Sequence, residues 1–141
     1  MTGVRFLLDT NILSEPLKPQ PNPLVIQRLT DNSEALATAS IAYYELQFGC
    51  YRLPNSRKRR VLEVYLQEEV EAKLVILPYD LDAARWHASE RSRLVRSGRT
   101  PPYVDGQIAA IAAVHDLVLV TNNTANYQDF QSLQLENWFL P

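Results

Sequence analysis

The stretch FLLDTNILSE, residues 6–15, decides the fold. Its apolar start ends abruptly in three polar side chains, Asp9, Thr10 and Asn11. A short apolar run with such a boundary is typical of a buried strand, and we predict a strand over residues 4–8. In parallel sheets, ligands bind beyond the carboxyl ends of the strands, so Asp9 is a candidate site residue.

The size and composition of the chain favour one packed domain. A length of 141 residues, with 46% hydrophobic and 21% charged residues, is that of an ordinary globular protein. We predict a single domain over residues 1–141. The net charge of −2 excludes a protein that coats nucleic acid by bulk electrostatics. Because Cys50 is the only cysteine, an intrachain disulfide framework and a cysteine-based zinc site are excluded.

The sequence shows no pattern of a membrane or export segment. The apolar run before Asp9 is too short for a signal peptide, and no stretch reaches the 18 consecutive apolar residues of a membrane span. We expect a soluble, cytoplasmic protein with no membrane partner.

Further apolar runs alternate with helical patterns along the chain. These runs are apolar throughout, as expected for a parallel sheet that helices cover on both faces. The alternation predicts an α/β fold with a sheet of four to five strands between helices. Besides residues 4–8, the predicted strands are 35–38, 74–77, 117–120 and 133–135. The predicted helices are 22–30, 40–51, 56–72, 81–97 and 103–115, with Ser40 and Asp80 as N-caps and Gly98 as a stop.

A second candidate acid, Glu45, lies in the predicted helix 40–51. Tyr44 and Phe48 belong to the apolar stripe of this helix, and helical spacing places Glu45 within the same stripe. We therefore predict that Glu45 points inward. A buried carboxylate is expensive without a partner, which favours a functional role over a solvated surface position.

Asp105 repeats this pattern in the predicted helix 103–115. Spacings of three and four residues put it on the same face as Ile108 and Ala109, and several alanines let this helix approach the sheet closely. Both aspartates also have ordinary explanations. Asp105 would complement the helix dipole from the first turn, and Asp9 would cap a helix or form a turn.

Three converging carboxylates require a positive charge among them. At about 4 Å and an effective dielectric constant near 20, each pair of carboxylates costs about 4 kcal/mol. Oxygen ligands suit Mg²⁺ or Mn²⁺, whereas His87 and His115 lie off the acidic face and are predicted to be structural. Hydrolysis of a phosphodiester by metal-activated water is the chemistry that fits. The crowding also predicts that Asp9→Asn raises thermal stability in metal-free buffer.

The sequence resembles a known family, the PIN-domain ribonucleases of the VapC toxin type. The motifs that carry the resemblance are LLDTNIL, AYYELQFG, YVDGQIAAIA, LVLVTNN and LENW, in that order over nearly the whole chain. The resemblance implies a PilT N-terminal fold, a three-layer sandwich, with Mg²⁺ or Mn²⁺ held by Asp9, Glu45 and Asp105. It also implies RNA cleavage as a toxin activity, a cognate antitoxin that blocks the site, and a homodimer.

The chain departs from this family at the end of the last motif strand. Many relatives carry a fourth acid there, whereas this chain has Asn123 and Asn126 in that neighbourhood. Asn123 is a candidate to hold a metal-bound water, and Thr121 to hydrogen-bond an acid, while a turn-forming asparagine pair is an equally good interpretation. Thr10 and Asn11 are expected to orient the metal ligands.

The sequence is also compatible with two other functions. An acid-cluster phosphatase commonly needs Asp-x-Asp after the first strand, but Asn11 occupies the second position. A catalytically inactive PIN-like binding module would keep the fold with vestigial acids.

The basic stretches Arg57–Arg60 and Arg91–Arg99 are candidates to contact RNA phosphates, and a solvated helix face is the alternative for the first.

Overall fold

The fold is built on a five-stranded, fully parallel sheet in a computed structural model that describes residues 3–141. The predicted single domain and the predicted absence of a signal peptide both concern Met1 and Thr2 as well. These two residues lie outside the described residues. The strands are β1 Phe6–Leu8, β2 Leu36–Ala39, β3 Val75–Leu77, β4 Val118–Val120 and β5 Gln134–Glu136. All five predicted strands are therefore confirmed, with small shifts at their ends.

The strand order, β3-β2-β1-β4-β5, places the site. β1 pairs with β2 on one side and with β4 on the other, so the chain reverses its direction of winding at β1. Because parallel crossovers are right-handed, the helices before and after β3 cover opposite faces of the sheet. The crevice at the carboxyl end of β1 is the topological switch point, where α/β proteins bind ligands.

In the described part of the chain, six α-helices surround the sheet. They are α1 Thr10–Leu13, α2 Pro23–Asp31, α3 Ser40–Arg52, α4 Arg57–Tyr65, α5 Leu81–Arg96 and α6 Tyr103–Val114. The five predicted helices are all present, and α1 is a short helix that the sequence analysis did not predict. A π-helical turn, Leu66–Glu71, continues α4 where one unbroken helix over residues 56–72 was predicted.

The predicted helix ends are correct at α5 and wrong at α3. Asp80 caps α5 by accepting a hydrogen bond at 3.0 Å from the Ala83 N–H. Gly98 ends α5 with φ of +81°, the left-handed conformation that glycine adopts without strain. Ser40 is not an N-cap: it is the first residue of α3, the cap position is Ala39, and no side chain caps this end. β2 runs directly into α3, which leaves no linker for a capping residue.

The packing of α5 against α6 depends on a glycine. A Cβ at Gly106 would lie 2.2 Å from Nε2 of His87, so only glycine lets α6 approach the buried imidazole this closely. The Tyr79 hydroxyl is 2.9 Å from Nδ1 of His87, and the Tyr103 ring lies against the imidazole with centroids 5.0 Å apart. His87 is thus a packing residue beneath the first turn of α6, as predicted. Among residues 3–141, no helix is long and apolar enough to cross a membrane.

Candidate active site

Asp9 lies at the carboxyl end of β1 and is 6% exposed. Its Oδ1 accepts the backbone N–H of Thr10 at 2.8 Å, which makes it the N-cap of α1. Its Oδ2 accepts the hydroxyls of Thr121 at 2.9 Å and Tyr127 at 3.2 Å. Asp9 is therefore both a helix cap and a member of the acidic cluster, because Oδ1 caps α1 and Oδ2 faces the cluster.

Asn11 and Thr121 link the ends of the two central strands. The Asn11 amide donates to Thr121 Oγ1 at 3.2 Å and lies 3.5 Å from Asp9 Oδ2, while its own oxygen accepts the Asn122 N–H at 3.0 Å. Thr121 is fully buried at the end of β4. These bonds hold Asp9 at its position through donors from both neighbouring loops, which satisfies a carboxylate taken out of water.

Asp105 reaches the same point from the first turn of α6. Its Oδ1 accepts the Tyr127 hydroxyl at 3.4 Å. Burial raises the pKa of Asp105 above its ordinary value, and the negative charges of Asp9 and Glu45 raise it further. The Tyr127 hydroxyl and the Asn126 amide oppose this rise by favouring the ionised form. The three acids therefore share one electrostatic environment.

Glu45 is at the site but not in the manner predicted. It is exposed, and the Thr10 hydroxyl donates to its Oε1 at 3.0 Å. The predicted inward stripe is wrong, because Tyr44 and Phe48 are 61% and 49% exposed. The buried side of α3 includes Ala42 and Cys50 instead. Glu45 thus lies at the solvent rim of the acidic cluster, beside α1.

Tyr127 is a site residue that the sequence analysis missed. Its ring is 1% exposed, and its hydroxyl contacts both Asp9 and Asp105. Burial and the two carboxylates raise the pKa of this phenol, so it stays a neutral donor. The only signal in the sequence is an aromatic residue close after a motif strand, which ordinarily indicates core packing.

The two asparagines differ in their relation to the acids. Asn123 is exposed, and its backbone N–H donates to Thr121 Oγ1 at 3.1 Å. Asn126 is also exposed, but its side chain acts on Asp105 and lowers the pKa of that carboxyl. The 3₁₀ turn Thr124–Asn126 that follows Asn123 accounts for the turn-forming interpretation. Asn126 therefore has a closer connection to the acidic cluster than Asn123.

The donor set suits a hard divalent cation, although the acids are not drawn around one point. Within residues 3–141, no three His, Cys, Asp or Glu side chains lie close enough together to hold an ion as they stand. Asp9 and Asp105 face a common hydroxyl, and Glu45 is an exposed side chain beside them. The available ligands are carboxylate, hydroxyl and amide oxygens, which is the chemistry of a Mg²⁺ or Mn²⁺ site.

Most of the arginines near the Asp105 loop are engaged within the fold. Arg91 donates to the Pro101 carbonyl oxygen, and Arg93 pairs with Glu90. Arg99 pairs with Asp129 at 3.0 Å. These contacts assign much of the second basic stretch to structure, whereas the first stretch, at the start of α4, has three exposed cations: Arg57, Lys58 and Arg60.

The comparison with known proteins decides the family. The family model described as PIN domain matches residues 6–130. The chain belongs to the PIN-domain family. Toxin FitB of Neisseria gonorrhoeae is 36% identical to it over 125 residues, which cover 86% of this chain and 90% of FitB. The tRNA(fMet)-specific endonuclease VapC of Shigella flexneri is 31% identical over 137 residues, 96% of this chain and 98% of that protein.

The fold agrees with this membership of the PIN-domain family. The crystal structure of FitAcB from Neisseria gonorrhoeae superposes with a TM-score of 0.88 at 33% identity, covering 96% of this chain and 99% of that one. The predicted resemblance to VapC-type proteins and the predicted α/β fold are confirmed. The five strands give the upper end of the predicted number.

Proposed function

We propose that this PIN domain is a Mg²⁺-dependent endoribonuclease, with Mn²⁺ as an alternative ion, that acts as the toxin of a toxin–antitoxin pair. The observation that carries the proposal is that Asp9 and Asp105 face one hydroxyl at the switch point of the sheet, with Glu45 near enough for its charge to act on Asp105. The names of its relatives, a toxin and an RNA endonuclease, support the same class of activity.

In this proposal, Asp9, Glu45 and Asp105 hold the ion. When bound there, a divalent ion would lower the pKa of a water and offset charge on the scissile phosphate. Thr121 and Asn11 hold the Asp9 carboxylate at a fixed orientation. Thr10 restrains the exposed Glu45. Hydrolysis needs no covalent intermediate on the protein, since each of these residues binds or orients rather than attacks.

The asparagines have lesser roles in this proposal. Asn126 stabilises the ionised form of Asp105, and Asn123 supports Thr121 through its backbone N–H. Neither side chain carries the charge of a fourth acid. We infer that the ion is held by three carboxylates rather than four.

The proposed partners follow from the same family. They are an RNA substrate, a cognate antitoxin protein and a second copy of the chain, with the cytoplasm as the place of action. The relatives named above are a toxin and a tRNA endonuclease, and neither name refers to a membrane.

The two rival functions have less support. For a phosphatase, Asn11 replaces the second aspartate of the usual motif, and its amide is already bonded to Thr121 and Asn122. For an inactive binding module, the acids would be vestigial, yet Asp9 retains donors from Thr10, Thr121 and Tyr127. A network of this kind is what a preorganised charged site requires.

Expression in cells without a partner protein tests the proposal. We expect growth arrest together with new RNA 5′ ends at defined positions, and both effects should disappear with Asp9→Asn. Glu68→Gln, which neutralises an exposed acid in the π-helical turn Leu66–Glu71, is the matched control and should remain toxic. Undiminished toxicity of Asp9→Asn, or growth arrest without RNA cleavage, would contradict the proposal.

A further inference from the structure

A single hydroxyl group lies between the two most buried acids of the site. The Tyr127 oxygen is 3.2 Å from Asp9 Oδ2 and 3.4 Å from Asp105 Oδ1. The residue follows the turn Thr124–Asn126, and its ring packs near Phe130 with centroids 6.4 Å apart. The hydroxyl is thus fixed from the core side, and the carboxylates face it from β1 and α6.

One phenol carries one proton but has two anionic acceptors. Hydrogen bonds from a hydroxyl to a carboxylate are usually about 2.5–2.7 Å long. Both contacts of Tyr127 are longer than this, as expected when one hydroxyl lies between two acceptors. The hydroxyl attracts both acids and spaces them apart. This arrangement offsets part of the repulsion between Asp9 and Asp105.

The two acids depend on this hydroxyl to different degrees. Asp9 has further donors in the Thr10 backbone and the Thr121 hydroxyl. The Asp105 carboxylate, at the start of α6, has the Tyr127 hydroxyl and the exposed Asn126 side chain as its donors, and only the first of these is buried. Among the described side chains, Tyr127 is the one whose hydrogen bonds join Asp9 directly to Asp105.

We propose that Tyr127 is a positioning residue of the metal site, and that its hydroxyl sets the separation and orientation of Asp9 and Asp105. This inference rests on the proposed function, because it assumes that the two acids hold a divalent ion. Groups that hydrogen-bond to metal ligands commonly contribute 10–100-fold to metal affinity. Tyr127 acts through the acids and does not itself replace the missing fourth carboxylate.

Calorimetric titration with MnCl₂ on the full chain tests this role. We expect Tyr127→Phe to weaken Mn²⁺ affinity by about tenfold or more. The matched control is Tyr65→Phe, which also removes a tyrosine hydroxyl that donates within the fold, in this case to the Leu13 carbonyl oxygen. Tyr65→Phe should bind Mn²⁺ as the wild type does. Unchanged affinity in Tyr127→Phe would overturn the inference, whereas absence of Mn²⁺ binding to the wild type would contradict the proposed function instead.

A second measurement needs no metal. In buffer with EDTA, Tyr127→Phe should lower Tm, and the loss should be smaller in an Asp105→Asn background, where the repulsion that the hydroxyl offsets is absent. An equal loss in both backgrounds would identify Tyr127 as an ordinary core residue and overturn the inference. If Tyr127→Phe does not fold, the double variant is expected to recover folding. Failure of both to fold would overturn it as well.

Discussion

At the scale of single residues, the two aspartates of the site differ in how well the fold satisfies them. Asp9 is surrounded by donors from Thr10, Thr121 and Tyr127. Asp105 is half-buried, and its pKa is raised by burial first and then by neighbouring charge. The sequence alone predicts that Asp9→Asn raises thermal stability, because it neutralises one of the crowded acids. The donors around Asp9 move that expectation to Asp105.

We expect Asp105→Asn to raise Tm in buffer with EDTA, because it removes an ionised group that burial and two like charges disfavour. Differential scanning fluorimetry at neutral pH measures this shift. The control is Glu68→Gln, which replaces an exposed acid. It should leave Tm nearly unchanged, because a surface substitution of this kind alters the free energy of unfolding by no more than about 0.5 kcal/mol. A lower Tm for Asp105→Asn would show that the Asp105 carboxylate is stabilised, not crowded.

The raised pKa of Asp105 also gives the stability a pH dependence of known sign. In the folded state this carboxyl binds a proton more readily than in the unfolded state, so its unfavourable effect is present at neutral pH. The effect disappears as pH falls through the raised pKa towards the ordinary value. The Tm difference between Asp105→Asn and the wild type should therefore shrink on acidification in EDTA. A difference that grows as pH falls would contradict the assigned direction.

At the scale of elements, helix α6 carries Asp105, and its approach to α5 depends on Gly106. We expect Gly106→Ala to destabilise the protein by about 1–3 kcal/mol, because the new methyl group would collide with the His87 imidazole. Gly49→Ala in α3 is the matched control, since a Cβ there meets nothing within 4 Å. That substitution should stabilise by about 0.5–1 kcal/mol. Urea denaturation of the two variants measures both effects.

The elements also show which parts of the site were predictable. The strands follow from apolar runs, and Asp105 follows from its spacing of three and four residues to Ile108 and Ala109, both of which are buried as predicted. Glu45 lies at the site, although the stripe on which it was predicted is exposed. That prediction was wrong because apolar residues occupy both sides of α3, so the sequence does not show which side is buried. Tyr127 was not predictable, since its position depends on a 3₁₀ turn with no periodic pattern.

At the scale of the whole molecule, helix α3 presents a row of exposed aromatic side chains. Tyr44, Phe48 and Tyr51 lie one turn apart along α3 and are 49–64% exposed. Tyr44 and Phe48 stack with centroids 5.8 Å apart. Clustered exposed aromatics commonly mark an interface, and the family resemblance implies a homodimer.

We therefore expect the protein to sediment as a dimer and Phe48→Glu to sediment as a monomer. Leu81→Glu is the control, because Leu81 is a similarly exposed apolar residue, at 63%, in the first turn of α5. Analytical ultracentrifugation distinguishes the two states. A dimer that survives Phe48→Glu would place the interface elsewhere.

The central claim is that Asp9, Glu45 and Asp105 hold a divalent ion on which RNA cleavage by this chain depends. The most direct measurement is the rate of RNA cleavage by the purified chain, free of any partner, as a function of Mg²⁺ or Mn²⁺ concentration. We predict saturable, metal-dependent cleavage by the wild type, none in EDTA, and a loss of at least about 100-fold in Asp105→Asn. Cleavage that persists in EDTA, or an undiminished rate in Asp105→Asn, would contradict the claim.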